Sequence, residues 1–412
     1  MEWYRQMKQP ERRTFWACFG GWALDAMDVQ MYAVAIPTLI AIWGMTKSQA
    51  GLLGTVALIV SSMGGWIAGI LADRCGRVRV LQITILWFSA FTFLSGLTNS
   101  FGQLLVTRAL QGLGFGGEWA AGAVLIAETV QARYRGKAVA AVQSGWSVGY
   151  GAAALLFTLI FNLFPAQQAW RFLFFAGVLP AVLVFFVRRF VQDPEVYVAT
   201  RRKIASGAQA PHFWEIFLPP IGVTTVFSTL LTMGILGGNY NILTWLPTYL
   251  RSVRHLSVTN TGGFLLVNIA GSFFGYIVGG YIADRLGRRR CFMLFACCAT
   301  ITVIIYMFAA VNNAMILVLG FPLGFFQSAL NAGVGAFLSE LFPSRIRGTA
   351  QGFSYNAGRG IGALFPLLVG RFSDRFPLGQ VIGTVAALAY SLAIVAALLL
   401  PETRAKELAV YT

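Results

Sequence analysis

Charge is what this chain has least of. Only 11% of its 412 residues are Asp, Glu, Lys or Arg and 57% are hydrophobic, where a soluble domain carries about a quarter charged residues. That balance excludes a water-soluble globular protein. Histidine is nearly missing: His212 and His255 are the only two, and both fall in predicted loops. Proton binding at membrane depth therefore has to use carboxylates. The five cysteines give no framework, since Cys18, Cys75 and Cys291 stand alone and Cys297 and Cys298 are neighbours in one apolar run; no disulfide and no metal site follow. No nucleophile paired with a base, no phosphate-cradling loop and no metal cluster is visible, so no catalytic residue is assigned and an enzyme is not expected. A cleavable leader is lacking too, because the first apolar run is too long and is followed by a second span.

What is present is apolar sequence in long runs. A helix needs about 20 such residues to cross roughly 30 Å of hydrocarbon. Twelve candidates occur, near 15–43, 50–72, 80–98, 102–130, 138–161, 171–190, 216–249, 259–283, 291–311, 314–341, 349–371 and 379–400. The net charge of +16 invites a nucleic-acid reading, but the basic residues are distributed by side. With the amino terminus inside, only Lys47, Arg171, Arg251, Arg254, Arg371 and Arg375 fall outside. This asymmetry is the positive-inside pattern. It places both termini in the cytoplasm of a multi-pass inner-membrane protein, with the lipid bilayer as its partner and no nucleic acid.

The chain is also duplicated. Gly69-Ile70-Leu71-Ala72-Asp73-Arg74-Cys75-Gly76-Arg77 returns as Gly280-Tyr281-Ile282-Ala283-Asp284-Arg285-Leu286-Gly287-Arg288, each copy between two apolar runs. Glu128 with Arg135-Gly136 is answered by Glu340 with Arg347-Gly348 at nearly the same offset. Internal duplication in so apolar a chain marks a transporter of two matched bundles. The expected fold is all-α, with twelve transmembrane helices in two six-helix pseudo-symmetric bundles. Residues 1–190 form the first, 191–215 a cytoplasmic linker with Arg201-Arg202-Lys203, and 216–412 the second. Glycines spaced for close helix packing, Gly145, Gly149 and Gly151 in the fifth span and Gly271, Gly275 and Gly279 in the eighth, are read as structural.

Few ionisable residues are stranded inside spans, where each lone charge costs about 2.5–3.5 kcal/mol on insertion scales. They are Asp25 and Asp28 in the first span, Arg108 and Glu118 in the fourth, and Arg359 in the eleventh. Asp25 and Asp28 share a helical face, and Glu118 reaches a comparable depth. Three carboxylates close together in low dielectric cannot all stay ionised cheaply, so at least one is expected to bind and release protons. In that group Asp28 is expected to carry the proton first, then Glu118, with Asp25 as partner of Arg108. The competing reading is that Arg108 neutralises one carboxylate and the group only locks two helices together. Arg359 has no acid in the neighbouring turns and can bind a carboxylate in a forked geometry, or else serve a carbonyl or carboxylate across the cavity. Tyr355 and Asn356 beside it, Asn239 and Asn241 in the seventh span, Gln327 and Asn331 in the tenth, and Gln143 and Trp146 in the fifth are candidate substrate contacts. The asparagines can equally satisfy a broken helix.

In the duplicated loop, Asp73 precedes Arg74 and Arg77, and Asp284 precedes Arg285 and Arg288. Opposite charges at a helix boundary can pair across the bundle interface in one conformation and part in another, a two-state gate. Simple retention of basic residues inside the membrane explains the same pattern.

The Asp-Arg-x-Gly-Arg loop after the second span of each half resembles the signature of the major facilitator superfamily. So do Arg108-Ala109-Leu110-Gln111-Gly112-Leu113-Gly114, Asp193-Pro194-Glu195 and Pro401-Glu402-Thr403. The resemblance covers the whole chain and implies that spans five and eight cross between the halves and that the loop closes an inner gate. Gly116-Gly117-Glu118-Trp119, Gln143-Ser144-Gly145-Trp146-Ser147-Val148-Gly149 and Phe353-Ser354-Tyr355-Asn356-Ala357-Gly358 look like the sialate and monocarboxylate proton symporters. Leu24-Asp25-Ala26-Met27-Asp28 resembles the aromatic-acid symporters. What these imply is alternating-access uptake of a small organic acid coupled to protons, by a monomer, with no cofactor besides the coupling proton. A drug or metabolite efflux antiporter, or an uncoupled uniporter of the same fold, is the alternative.

Overall fold

A computed structural model describes residues 2–129, 138, 141–190, 213–309, 311–343 and 346–403. The elements are helices, and no strand occurs among the described residues; a single turn, Glu2–Arg5, precedes the longer helices. They are α1 Gln9–Trp43, α2 Lys47–Cys75, α3 Arg77–Gly96, α4 Phe101–Thr129, α5 Gly145–Leu163, α6 Ala166–Phe175, α7 Leu179–Phe190, α8 Ile221–Ser252, α9 Val258–Leu286, α10 Arg288–Phe308, α11 Asn313–Leu341, α12 Arg347–Gly362, α13 Leu364–Ser373 and α14 Leu378–Leu399. Nine helices among the described residues are long and apolar enough to cross a bilayer. The remaining crossings are α4, α6 continued by α7 through a 3-10 turn at Ala176–Val178, and α12 continued by α13. Twelve crossings result, and the first starts at Gln9, earlier than the apolar run alone indicates. Most of the expected linker lies outside the described residues; its end, Phe213–Phe217, is a short 3-10 turn.

Local chemistry sets the helix ends. Gly44 closes α1 with φ of 61°, a left-handed turn that glycine enters at little cost. The side chains of Ser257 and Asn312 accept backbone N–H groups at the starts of α9 and α11, satisfying donors a helix start leaves open. Pro37, Pro247 and Pro322 sit inside helices, as proline does in membrane spans where neighbours re-satisfy the freed groups.

The sequence repeat is a structural repeat. Gly76 and Gly287, equivalent positions of the two loop copies, turn the chain with φ of 104° and 97°. In the first repeat α2 packs along α4, and in the second α9 packs along α11. Both pairings depend on missing side chains: a Cβ on Gly112 or Gly116 would enter the backbone of Ala57 or Ser61, and one on Gly271 or Gly275 that of Phe321 or Phe325. The glycines of the fifth and eighth spans pack in the same way. Gly145 and Gly149 face Phe19 and Ala23 of α1, while the α9 glycines face α11. These glycines bind each span to its own repeat, because a backbone-to-backbone approach needs glycine, while Gly151 of α5 faces Ile269 of α9 across the crossing. The crossing of α5 and α9 is made mostly by side chains, with Ser147 and Ser272 hydroxyls 2.9 Å apart and Asn162 Nδ2 donating to Thr259 Oγ1 at 3.1 Å.

The two repeats also touch at the helix ends remote from the chain termini. Lys47 Nζ donates to Ser373 O at 2.8 Å, Lys47 N to Asp374 Oδ1 at 3.2 Å, and Arg251 Nη1 to Thr38 Oγ1 at 3.2 Å. Thr55 Oγ1 donates to Ala363 O at 2.7 Å, at the break between α12 and α13. Toward the terminal ends Trp66 of α2 stacks on Phe353 of α12 at 6.4 Å, and Phe213 and Phe217 pack edge-on against Phe353.

Candidate functional site

Between the repeats lie two small cavities divided by a shared wall of Phe115, Trp146, Tyr240 and Leu243. One, of about 40 Å³, gathers Gln143 and Trp146 from α5, Asn239 from α8, Gln327 and Asn331 from α11 and Tyr355 from α12. These are six of the residues expected to contact substrate. Asn239 is held from two sides: its Nδ2 donates to Gln327 O at 3.4 Å, and its Oδ1 accepts from the Tyr390 hydroxyl at 2.8 Å. Gln327 Nε2 is buried with no hydrogen-bond partner.

The other expected contacts lie elsewhere. Asn241 points away, donating to Ile382 O of α14 at 3.0 Å. Two residues on from Asn239, it falls on the opposite side of α8 by helical geometry and braces the bundle. Asn356 donates to Gly352 O at 3.0 Å and stands against Gly65 of α2, outside both cavities. Arg359 is 1% exposed, lines neither cavity, and stacks on Phe115 with its guanidinium carbon 4.3 Å from the ring centroid. None of its three guanidinium nitrogens makes a hydrogen bond of good geometry, and the Tyr240 hydroxyl is a polar neighbour.

The second cavity, about 30 Å³, is lined by Gln30, Tyr32, Arg108, Gln111 and Thr244 among others. Behind it lies a hydrogen-bonded group. Gln111 Nε2 donates to Asp28 Oδ2 and, at 2.9 Å, to Thr92 Oγ1, while Gln111 Oε1 accepts from Arg108 Nη1. One amide thus joins a buried carboxylate to a buried guanidinium, and Arg108 also stands 4.7 Å from the Tyr32 ring centroid. Arg108 and Gln111 face the cavity on one side and Asp28 on the other. Such charge-assisted bonds are stronger than neutral ones and keep both charges tolerable in low dielectric.

The partner expected for Arg108 changes accordingly. Its neighbours are Gln111, Asp28 and Tyr32, not Asp25. Asp28 lies about 4.5 Å further along α1 than Asp25, from the rise per residue, toward the end from which α4 descends and near which Arg108 sits. Asp25 is 1% exposed and lines neither cavity. The side chain of Glu118 lies outside the described residues, as do those of Asp73, Arg74, Arg77 and Asp284. Of the expected gate residues, Arg285 is exposed. Arg288 pairs with Glu340 at 3.0 Å, within its own repeat rather than across. Glu402 Oε1 accepts the Arg288 N–H at 2.8 Å and the Thr403 N–H at 3.0 Å, and the Thr403 hydroxyl donates to Glu340.

Sequence reading missed several lining residues. Tyr276, Ser272 and Ser328, the serines bonded hydroxyl to hydroxyl, line the larger cavity without having been singled out, because single hydroxyls within apolar runs carry no signal of their own. Gln30 is 1% exposed with both amide atoms unpartnered, and its signal was available as a buried-span glutamine two residues from Asp28. Each cavity has room for a few waters at most. Its walls have to part before an organic acid fits.

The sequence matches the Major Facilitator Superfamily over residues 18–312 and 265–410. It is 42% identical over 402 residues to a probable 4-methylmuconolactone transporter of Cupriavidus pinatubonensis, covering 98% of this chain and 93% of that one. It is 29% identical over 385 residues to a cis,cis-muconate transport protein of Acinetobacter baylyi, covering 92% of each. In fold it is similar to the xylose transporter XylE from E. coli in an inward-open conformation, with a TM-score of 0.74, 17% identity, and coverage of 96% of this chain and 97% of that one.

Proposed function

Because the chain belongs to the Major Facilitator Superfamily and is a multi-pass membrane transporter, not an enzyme, we propose that it carries a small planar, unsaturated organic acid across the inner membrane together with a proton, working as a monomer with both termini in the cytoplasm. The observation that supports this reading is the place of Arg108, between the cavity it lines and the Asp28 carboxylate it reaches through Gln111. With Asp28 ionised, Arg108 is neutralised from behind. A proton on Asp28 releases the field of Arg108 toward the cavity, where a carboxylate substrate then finds an uncompensated cation. Binding of the anion and of the proton thereby support one another, which is the thermodynamic requirement for symport.

The walls support this acid class. Trp22, Phe115 and Trp146 lie with centroids 5.1–6.5 Å apart at the waist between the cavities, offering flat apolar faces to a planar body. Gln143, Asn239, Gln327 and Asn331 supply polar contacts for its oxygens. The names of two relatives, a muconolactone and a muconate carrier, fit the same class. Thermal unfolding of the purified carrier with 4-methylmuconolactone, cis,cis-muconate, sialate, benzoate and neutral sugars tests the proposal. A true substrate at about 100 times its Kd adds roughly 2.7 kcal/mol to the state it binds. Stabilisation by the conjugated acids is expected; stabilisation by sugars alone refutes the reading.

A further inference from the structure

Arg359 poses a problem the transport cycle has to solve. A guanidinium that is 1% exposed at membrane depth, with no charged partner among the described residues, stands against a phenyl ring, beside the Tyr240 hydroxyl and in the field of Tyr355. Buried charges are ordinarily paired and hydrogen-bonded. Phe115 meets the guanidinium carbon at 4.3 Å from its centroid, within the range of a cation–π contact. Made through the face of the guanidinium plane, such a contact leaves the edge of the plane free. The N–H groups radiate in the plane, and that edge is what a carboxylate engages in a forked pair.

We propose that Phe115 is a positioning residue for the substrate carboxylate: it holds the Arg359 guanidinium by its face and so presents the N–H edge, between Tyr240 and Tyr355, to the acid. The proposal rests on the carboxylate reading above. Phe115 and Tyr240 line both cavities, and Tyr355 lines the larger one. The Phe115 ring is therefore a part of the wall through which the centre of the carrier senses Arg359. Its stacking on Trp22 at 6.5 Å and its approach to Trp146 at 6.2 Å fix it in turn. Phe115 belongs to α4 and Arg359 to α12, in different repeats. The arginine is consequently aligned only while the repeats lie together at this depth, and affinity for the acid is highest in the closed carrier.

The test uses the full-length protein in proteoliposomes and whichever panel acid binds the wild type, together with the methyl ester of that acid, which cannot accept the fork. Dissociation constants come from quenching of tryptophan fluorescence, and maximal rates from counterflow. Phe115→Leu is expected to raise Kd for the acid about tenfold, a ratio within reach of an ordinary cation–π contact, while changing the maximal counterflow rate less than about twofold. Its preference for acid over ester should shrink by the same factor. Phe115→Trp, which keeps a π-face, should restore most of the preference. If Phe115→Leu unfolds at the wild-type temperature and keeps the acid-over-ester preference, the ring is wall only and the inference fails. If Phe115→Leu does not fold, Phe115→Trp and Phe115→Tyr decide: loss of preference in both overturns it. Equal binding of acid and ester by the wild type would instead remove the carboxylate reading itself.

Discussion

Asp28→Asn isolates the proton from the architecture. Asparagine has the same shape, and its carbonyl oxygen can still accept from Gln111 Nε2, so the contact of α1 with α4 persists. What is lost is the carboxylate that Gln111 joins to Arg108 and Thr92. Arg108 then lacks its counter-charge while keeping Gln111 and the Tyr32 ring. A loss of about 3 kcal/mol, the lower end for breaking a buried pair, is expected, and it is read first as a lowered melting temperature of a still monodisperse protein. The transport consequence is larger. One proton per cycle against an imposed difference of about 2 pH units can concentrate substrate up to roughly 100-fold, a factor of ten for each 1.36 kcal/mol. Asp28→Asn should bring that ratio to about 1 while counterflow, which moves no net proton, stays within about threefold of wild type. Asp25→Asn, outside the group, should still accumulate. Should Asp28→Asn concentrate substrate more than about tenfold under the gradient, the coupling argument is wrong. If Glu118→Gln does so as well, the proton is carried by a group outside this carboxylate cluster.

Thr55→Val removes the hydroxyl that satisfies Ala363 O across the closed end; an orphaned buried carbonyl costs about 1–3 kcal/mol. Labelling of a cysteine placed at Ala33, in a background without native cysteines, should rise about tenfold from the side remote from the termini. Gly149→Ala drives a Cβ into the Ala23 carbonyl and should destabilise by at least 1–3 kcal/mol. Gly280→Ala meets nothing within 4 Å and should be neutral or slightly stabilising, so equal melting shifts for the two would contradict the packing account. Glu340→Gln breaks the pair with Arg288 and should raise amide exchange at Arg288 and Thr403, whose N–H groups share the Glu402 carboxylate; unaltered exchange would separate the carboxyl-terminal cap from that pair.

Architecture was legible because hydrocarbon imposes it. Apolar run length located the crossings, and duplication of the Asp-Arg-x-Gly-Arg loop carried through to matching turns at Gly76 and Gly287. Polar residues at membrane depth likewise announced the site, and Gln143, Asn239, Gln327 and Asn331 meet at one cavity. What sequence could not supply is azimuth and neighbour. Asn239 and Asn241 read alike, yet one lines the cavity and the other caps a carbonyl of α14. Arg108 could have met either aspartate of α1, and the descent of α4 chose Asp28 through Gln111, a residue whose own sequence context is indistinguishable from packing. The role of Phe115 was invisible for a similar reason: a phenylalanine among glycines gives no sign that an arginine from the other repeat lies on its face.

The closure remote from the termini joins the repeats through Thr55 and Ala363, Lys47 and Ser373, Arg251 and Thr38, Asn162 and Thr259. Each of these is a polar contact. Separating them requires solvent to take over each donor and acceptor, so opening draws water molecules into the carrier from one aqueous phase. The equilibrium between closed and open forms is therefore an osmotic one. Solutes too large to enter and excluded from the protein surface, such as sucrose, favour the compact form. They should lengthen the occluded dwell and slow counterflow in proportion to the lowering of water activity. The membrane sets the height of this machine, and the water around it helps set its pace.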